Sequence, residues 1–406
     1  MTHQATPAYQ VRTSFIGDQL FPAKHSARII DAVLMGFIIM RIDAPFLPVS
    51  VPLAQVAMIV LLFTASFRRP TRSLERVRWF PIVALLLLAY LMTVSLVQDV
   101  DFVRRLGNIA LLLTVSGFLA SGRIDVVSAL KGLGGALVIN AALFYAGIAP
   151  NTYGGVLTGY LADKNAAGLV YGISALLCSL TTRRAWLRLI ILAAGAGALV
   201  LTDSRTSMAA YGLAAIWLFL APRLGLAFQA LLGAALAASF AWLDQNLAES
   251  GSYAVTRAGS DALRDRIDAA TDIKVAETPW YGGGLGEANT EVEGLFWFFH
   301  NSYDALIAEG GYPALIGVVA LYVLVGFGLL NQRRRSYASA VTGAATLFAL
   351  LAATRLGEVF FAPIGFVLLG VGLALIVEHD PFKHDRRIHG DFELARQRGS
   401  APQVSQ

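Results

Sequence analysis

Phe80-Pro81-Ile82-Val83-Ala84-Leu85-Leu86-Leu87-Leu88-Ala89-Tyr90-Leu91-Met92-Thr93-Val94-Ser95-Leu96-Val97 carries no charged side chain. As a helix rising ~1.5 Å per residue it approaches the ~30 Å depth of a hydrocarbon core. Similar runs recur almost end to end, at about 28–46, 49–67, 107–121, 126–148, 165–181, 187–203, 206–221, 223–243, 302–330, 339–356 and 358–377. Hydrophobic residues make up 56% of the chain and charged ones 15%, where soluble domains run near ~25% charged. The expected fold is therefore all-α, a polytopic membrane protein with about 12 transmembrane helices. The 38 glycines agree, since small residues let membrane helices approach closely. Cys178, the single cysteine, forms no intrachain disulfide. The polar first 27 residues lack an apolar core with a cleavage site, so no removable signal peptide is expected.

Basic residues alternate between loops. One set holds Arg68, Arg69, Arg72, Arg76, Arg78, Arg123, Arg183, Arg184, Arg188, Arg223 and Arg333-Arg334-Arg335. The other short loops hold only Arg104, Arg105, Lys164, Arg205 and Arg355. The positive-inside rule puts the first set in the cytoplasm, with residues 1–27 and a disordered polar tail at 378–406. Spans one to nine then cover 28–243 and spans ten to twelve cover 301–377, leaving residues 244–300 as one large outer loop. Leu263, Ile267, Ala270 and Val275 predict helix over 261–277, ended by Pro279. Gly282-Gly283-Gly284 predicts a turn or close backbone approach, and Phe296-Trp297-Phe298-Phe299 a membrane-interface block. No repeat of fixed period is present.

Of the six histidines, only His300 lies in the body of the chain, at the edge of an apolar run. Imidazole has the unperturbed pKa, ~6.5, best suited to proton transfer near neutral pH. His300 is the expected catalytic base, with Asp304 and Glu309 as residues that orient it or face water. The bland alternative is a histidine that caps a helix. Lys164, Arg205 and Arg355 stand at the outer ends of spans, and Arg264 and Arg266 come from the large loop. Charges at such places are costly unless paired or wet, so they mark candidate sites. Together they would suit a diphosphate, which arginine forks hold bidentately. Arg205 alone would equally snorkel to headgroups, and Arg104 and Arg105 are expected to meet lipid phosphates. No His/Cys cluster has metal-ligand spacing, so neither a metal nor another cofactor is expected.

Asp163-Lys164-Asn165, Thr202-Asp203-Ser204-Arg205, Arg264 before Pro279 and Gly283-Gly284-Leu285-Gly286, and His300-Asn301-Ser302-Tyr303 with Glu309-Gly310 occur in this order. The set resembles the O-antigen ligase-like family of O-antigen ligases and Wzy-type O-antigen or exopolysaccharide polymerases. The resemblance covers roughly residues 150–320. Asp268 departs from it, standing where the loop helix often carries an aromatic, and Arg266 competes with Arg264. What the resemblance implies is a metal-independent glycosyltransferase of the bacterial inner membrane, with residues 244–300 as a periplasmic loop. Its donor would be an undecaprenyl-diphosphate-linked glycan, and its acceptor lipid A-core or a second lipid-linked glycan. The partners are then lipid-linked sugars and the bilayer, not nucleic acid. His300 would act as base. Arg205 and Arg264, with Lys164, would hold the diphosphate, and Asn165, Asn301, Arg266, Glu309 and Arg355 would complete the substrate site. The alternative is a polytopic transporter, for example of a small anion such as bicarbonate.

Overall fold

The computed structural model describes residues 28–43, 51–249, 254–330 and 336–378. The N-terminal segment 1–27, Arg333-Arg334-Arg335 and the tail beyond 378 lie outside them. Among the described residues the chain forms α1 (Ile29–Ile38), α2 (Leu53–Ser66), α3 (Trp79–Val97), α4 (Val103–Ser121), α5 (Val126–Tyr145) and α6 (Lys164–Cys178). Then follow α7 (Ala185–Leu201), α8 (Arg205–Leu220), α9 (Leu226–Glu249), α10 (Ala254–Glu277), β1 (Asn289–Val292), β2 (Leu295–Phe298), α11 (Ser302–Gly326), α12 (Tyr337–Ala352) and α13 (Pro363–Glu378). A helix overlaps every apolar run of the sequence, and α10 is the added helix in the large loop. Five helical stretches are long and apolar enough to cross a bilayer: Glu75–Val97, Val103–Ser121, Val126–Tyr145, Leu226–Leu243 and Ser302–Gly326.

Helices α6, α12 and α13 are buried over nearly all their residues. Around them α3, α7 and α9 expose Leu85, Leu86, Ile190, Phe228 and Leu231, an outer surface suited to lipid. Helix α5 touches α1 backbone to backbone, since a Cβ at Gly132 would lie 1.9 Å from the Ala32 carbonyl. Polar caps start the helices that build the site: Asp163 accepts from the Asn165 and Ala166 amides, and Asn301 from the Tyr303 amide.

Helix α12 runs antiparallel to both α6 and α8. Its Tyr337 hydroxyl donates to Ser179 Oγ at 2.9 Å near the end of α6. Further along, the Phe348 ring fills the space at Gly172 of α6 and meets Tyr211 of α8, ring centroids 6.2 Å apart. Gly343 similarly faces the Trp217 indole of α8. Carried onward, this register sets the first residues of α6 and α8, Lys164 and Arg205, level with Arg355 just beyond α12. The start of α11 is tied to the same level, because the Ser302 amide donates to the Ala353 carbonyl at 2.8 Å. Its hydroxyl donates to Leu356 O and accepts from the Val359 amide.

Helix α11 is broken at Gly311 (φ 63°, ψ −168°), two residues before Pro313. Proline has no N–H for the Glu309 carbonyl, and Tyr312 N turns instead to Trp280 O at 2.9 Å. The two freed carbonyls are taken by the glycine loop: Gly283 N donates to Ala308 O at 2.7 Å and Gly284 N to Glu309 O at 3.0 Å. A Cβ at Gly311 would lie 2.1 Å from Trp280 O. The close approach expected of these glycines thus repairs a broken helix.

The large loop corrects two expectations. Its helix begins at Ala254, earlier than the hydrophobic pattern predicts. The fold is also not purely α, for β1 and β2 pair as an antiparallel hairpin turned by Glu293 and Gly294, both with positive φ. The aromatic block is split by strand alternation. Phe296 and Phe298 point outward, 75% and 79% exposed, while Phe299 is buried against Ala305 and Ala308.

Candidate functional site

His300 lies directly before the Asn301 cap of α11, two residues past the end of β2, and is 28% exposed. Its Nδ1 lies 3.2 Å from Asp268 Oδ1 on α10. The other Asp268 oxygen is 3.7 Å from Arg355 Nη1. The carboxylate bonded to the imidazole is therefore Asp268, not Asp304 or Glu309. The packing of α10 against the start of α11 brings together residues with no helical spacing between them.

Glu309, expected at the substrate, is bonded to protein groups. It is 2% exposed, and Arg105 reaches it through Nε at 2.7 Å and Nη2 at 3.0 Å, while the Gly286 amide donates to it at 3.0 Å. Arg105 also pairs with Glu358 at 3.0 Å. A buried carboxylate needs such partners. Arg105, expected to meet lipid phosphates, ties α4 to Glu309 and Glu358 in the structure, and Glu309 in turn takes the Gly286 amide. Arg266 is likewise engaged, pairing with Glu293 at the hairpin turn, and both it and Arg264 on the same helix are exposed.

Lys164 and Arg205 open α6 and α8 as their first residues. Each helix follows a left-handed residue, Ala162 (φ 65°) and Asp203 (φ 49°), conformations that cost energy outside glycine. The two turns meet: Lys164 Nζ is 3.9 Å from Asp203 Oδ2, and Ser204 Oγ is 3.5 Å from Asn165 Oδ1. Tyr153 donates to Asp163 at 2.9 Å; burial and the neighbouring carboxylate push its phenol above the usual range.

A cavity of about 820 Å³ opens between α9, α11 and α12. Its walls are apolar, among them Phe240, Val319, Val323, Phe327 and Leu347, with Trp217 at the far end. At one mouth Asn301, Thr354 and Arg355 sit beside His300, and Gln229 of α9 adds a polar group elsewhere in the lining. Of the residues predicted for the site, Asn301 and Arg355 line this cavity. Lys164, Asn165 and Arg205 lie level with that mouth on α6 and α8, and Arg264 and Arg266 ride on α10. Sequence reasoning did not connect Asp268 to His300 or Arg105 to Glu309, partners 32 and 204 residues apart. No protein-family model matches the chain, and no curated protein matches it.

Proposed function

We propose that the chain is a membrane glycosyltransferase that moves a glycan from a polyprenyl diphosphate to an acceptor hydroxyl, in the manner of O-antigen ligases and Wzy-type polymerases. The observation that carries this reading is the apolar cavity whose polar mouth, Asn301 and Arg355, adjoins the His300–Asp268 pair. A greasy channel ending in a cation and a base fits a substrate that is hydrocarbon at one end and phosphorylated sugar at the other. Lys164 and Arg205 add positive charge at two helix starts, where backbone N–H groups already favour anions. His300 takes the acceptor proton, the acceptor oxygen attacks the anomeric carbon, and the diphosphate leaves toward Arg355, Arg205 and Lys164. In this reading the shorter helices also cross the bilayer, giving twelve crossings. The site then faces the periplasm, with both termini in the cytoplasm, as the loop arginines imply.

A carrier would draw on the break in α11, since unwound backbone often binds ions. Here the freed carbonyls of Ala308 and Glu309 are already bonded to the glycine loop, which favours the enzyme. The deciding experiment complements a deletion strain with wild type or His300→Ala. Loss of surface polymer in the deletion, unrestored by His300→Ala at normal abundance, is expected. Full restoration by that variant, or solute uptake by reconstituted protein without any lipid-linked glycan, overturns the proposal. Loss of all polymer from lipopolysaccharide identifies a ligase; a core bearing one repeat identifies a polymerase.

A further inference from the structure

Asp268 has no place in the sequence pattern that led to His300, yet its carboxylate lies 3.2 Å from that ring. We infer that Asp268 is the positioning residue of the reaction, holding the ring proton on Nδ1 so that Nε2 offers its lone pair to the acceptor hydroxyl. The inference rests on His300 being the base.

An ionised carboxylate can only accept hydrogen bonds, so the nitrogen facing it must donate. A neutral imidazole carries one N–H, and fixing it on Nδ1 leaves Nε2 bare. The carboxylate is itself held. Arg355 Nη1 stands 3.7 Å from its second oxygen, and α10 is clamped on both sides of it. Arg266 pairs with Glu293 at the hairpin turn, and Lys274 Nζ reaches Glu287 at 2.9 Å and the Asn289 carbonyl at 2.8 Å. On the inner face of α10, Ile267 and Thr271 are 1% and 3% exposed. The hairpin is thus a brace that sets the helix bearing Asp268. The carboxylate itself is 36% exposed, and ion pairs so open to water add little to stability. Its worth lies in direction.

The balance of the step is simple. The acceptor O–H proton passes to Nε2 as the oxygen electron pair forms the new bond to the anomeric carbon. The old carbon–oxygen bond breaks with its pair on the diphosphate. The ring becomes imidazolium, Asp268 stays ionised and stabilises it, and the extra proton leaves to water.

The test uses the full chain in lipid nanodiscs with ¹⁵N-labelled histidine, His300→Ala identifying the signals of residue 300. In wild type with the ring neutral, Nδ1 should carry the proton and Nε2 should be bare. In Asp268→Asn, whose amide can donate to Nδ1, the Nε2–H form should become the majority. That variant should also lose turnover on the order of 10²-fold or more at normal abundance, and Asp268→Glu should recover part of it. An unchanged tautomer in Asp268→Asn, or full complementation of the deletion strain by it, overturns the inference. Should His300→Ala itself complement, the base reading fails instead. If only Asp268→Asn complements, the positioning role alone is lost.

Discussion

The two ends of the helix bundle use cations in opposite ways. At the end carrying Arg28, Arg68, Arg72 and Arg123, guanidinium groups close the structure. Arg28 donates to Arg123 O at 2.9 Å, Arg123 to Ser66 O at 2.7 Å and Arg72 to Leu119 O at 3.2 Å, each a carbonyl at or just past a helix end. Asp31, fully buried, takes Arg68 at 2.5 Å and the Asp125 amide at 2.9 Å. At the other end Lys164 stands 3.9 Å from Asp203 and Arg355 3.7 Å from Asp268, and Lys164 and Arg205 begin helices where the dipole disfavours them. Short bonds to helix carbonyls are glue. Cations at helix starts add to the pull that the backbone N–H groups there exert on an anion. Arg105 belongs by position to the second end and by bonding to the first.

That contrast can be broken by experiment. The largest effect is expected from His300→Ala, which should cut polymer formation by about 10²- to 10⁴-fold while thermal unfolding in detergent stays unchanged. Next comes Arg68→Ala, which takes the nearest cation from the buried Asp31 carboxylate and should lower stability by about 3 kcal/mol, with turnover per folded molecule preserved. A drop in turnover without a drop in melting temperature would erase the distinction between the ends. Arg105→Ala should do both at once, costing about 2–3 kcal/mol in denaturation and reducing activity through the displaced glycine loop. Arg205→Lys keeps the charge but loses the fork. About a tenfold loss of activity, some 1.4 kcal/mol, is expected, and none from Arg104→Lys. Equal losses at the two positions would mark Arg205 as a headgroup contact. The smallest effect belongs to the outward ring of Phe296, whose replacement by serine should move stability by no more than about 0.5 kcal/mol.

Much of this architecture is local and therefore readable in the chain. A stretch such as 80–97 announces a helix because each residue reports its own preference for lipid, and Asp163 and Asn301 announce caps because a cap acts over three residues. His300 was likewise visible as the one body histidine. The hairpin was hidden because Leu295-Phe296-Trp297-Phe298 is apolar on both faces, so alternation leaves no trace, although Glu293-Gly294 is a turn signal close to Asp-Gly. The pairings Asp268–His300 and Arg105–Glu309 depend on how separate elements meet, and no spacing along the chain encodes that.

The mended break in α11 has a consequence for how such a loop can diversify. Pulling residues 282–284 away would strand two acceptor groups, so the glycine segment and the first turns of α11 form one joint that moves or fails together. Swapped loops should graft cleanly only when the junction leaves that joint whole, and a side chain at residue 311 should ruin any chimaera, whatever loop it carries.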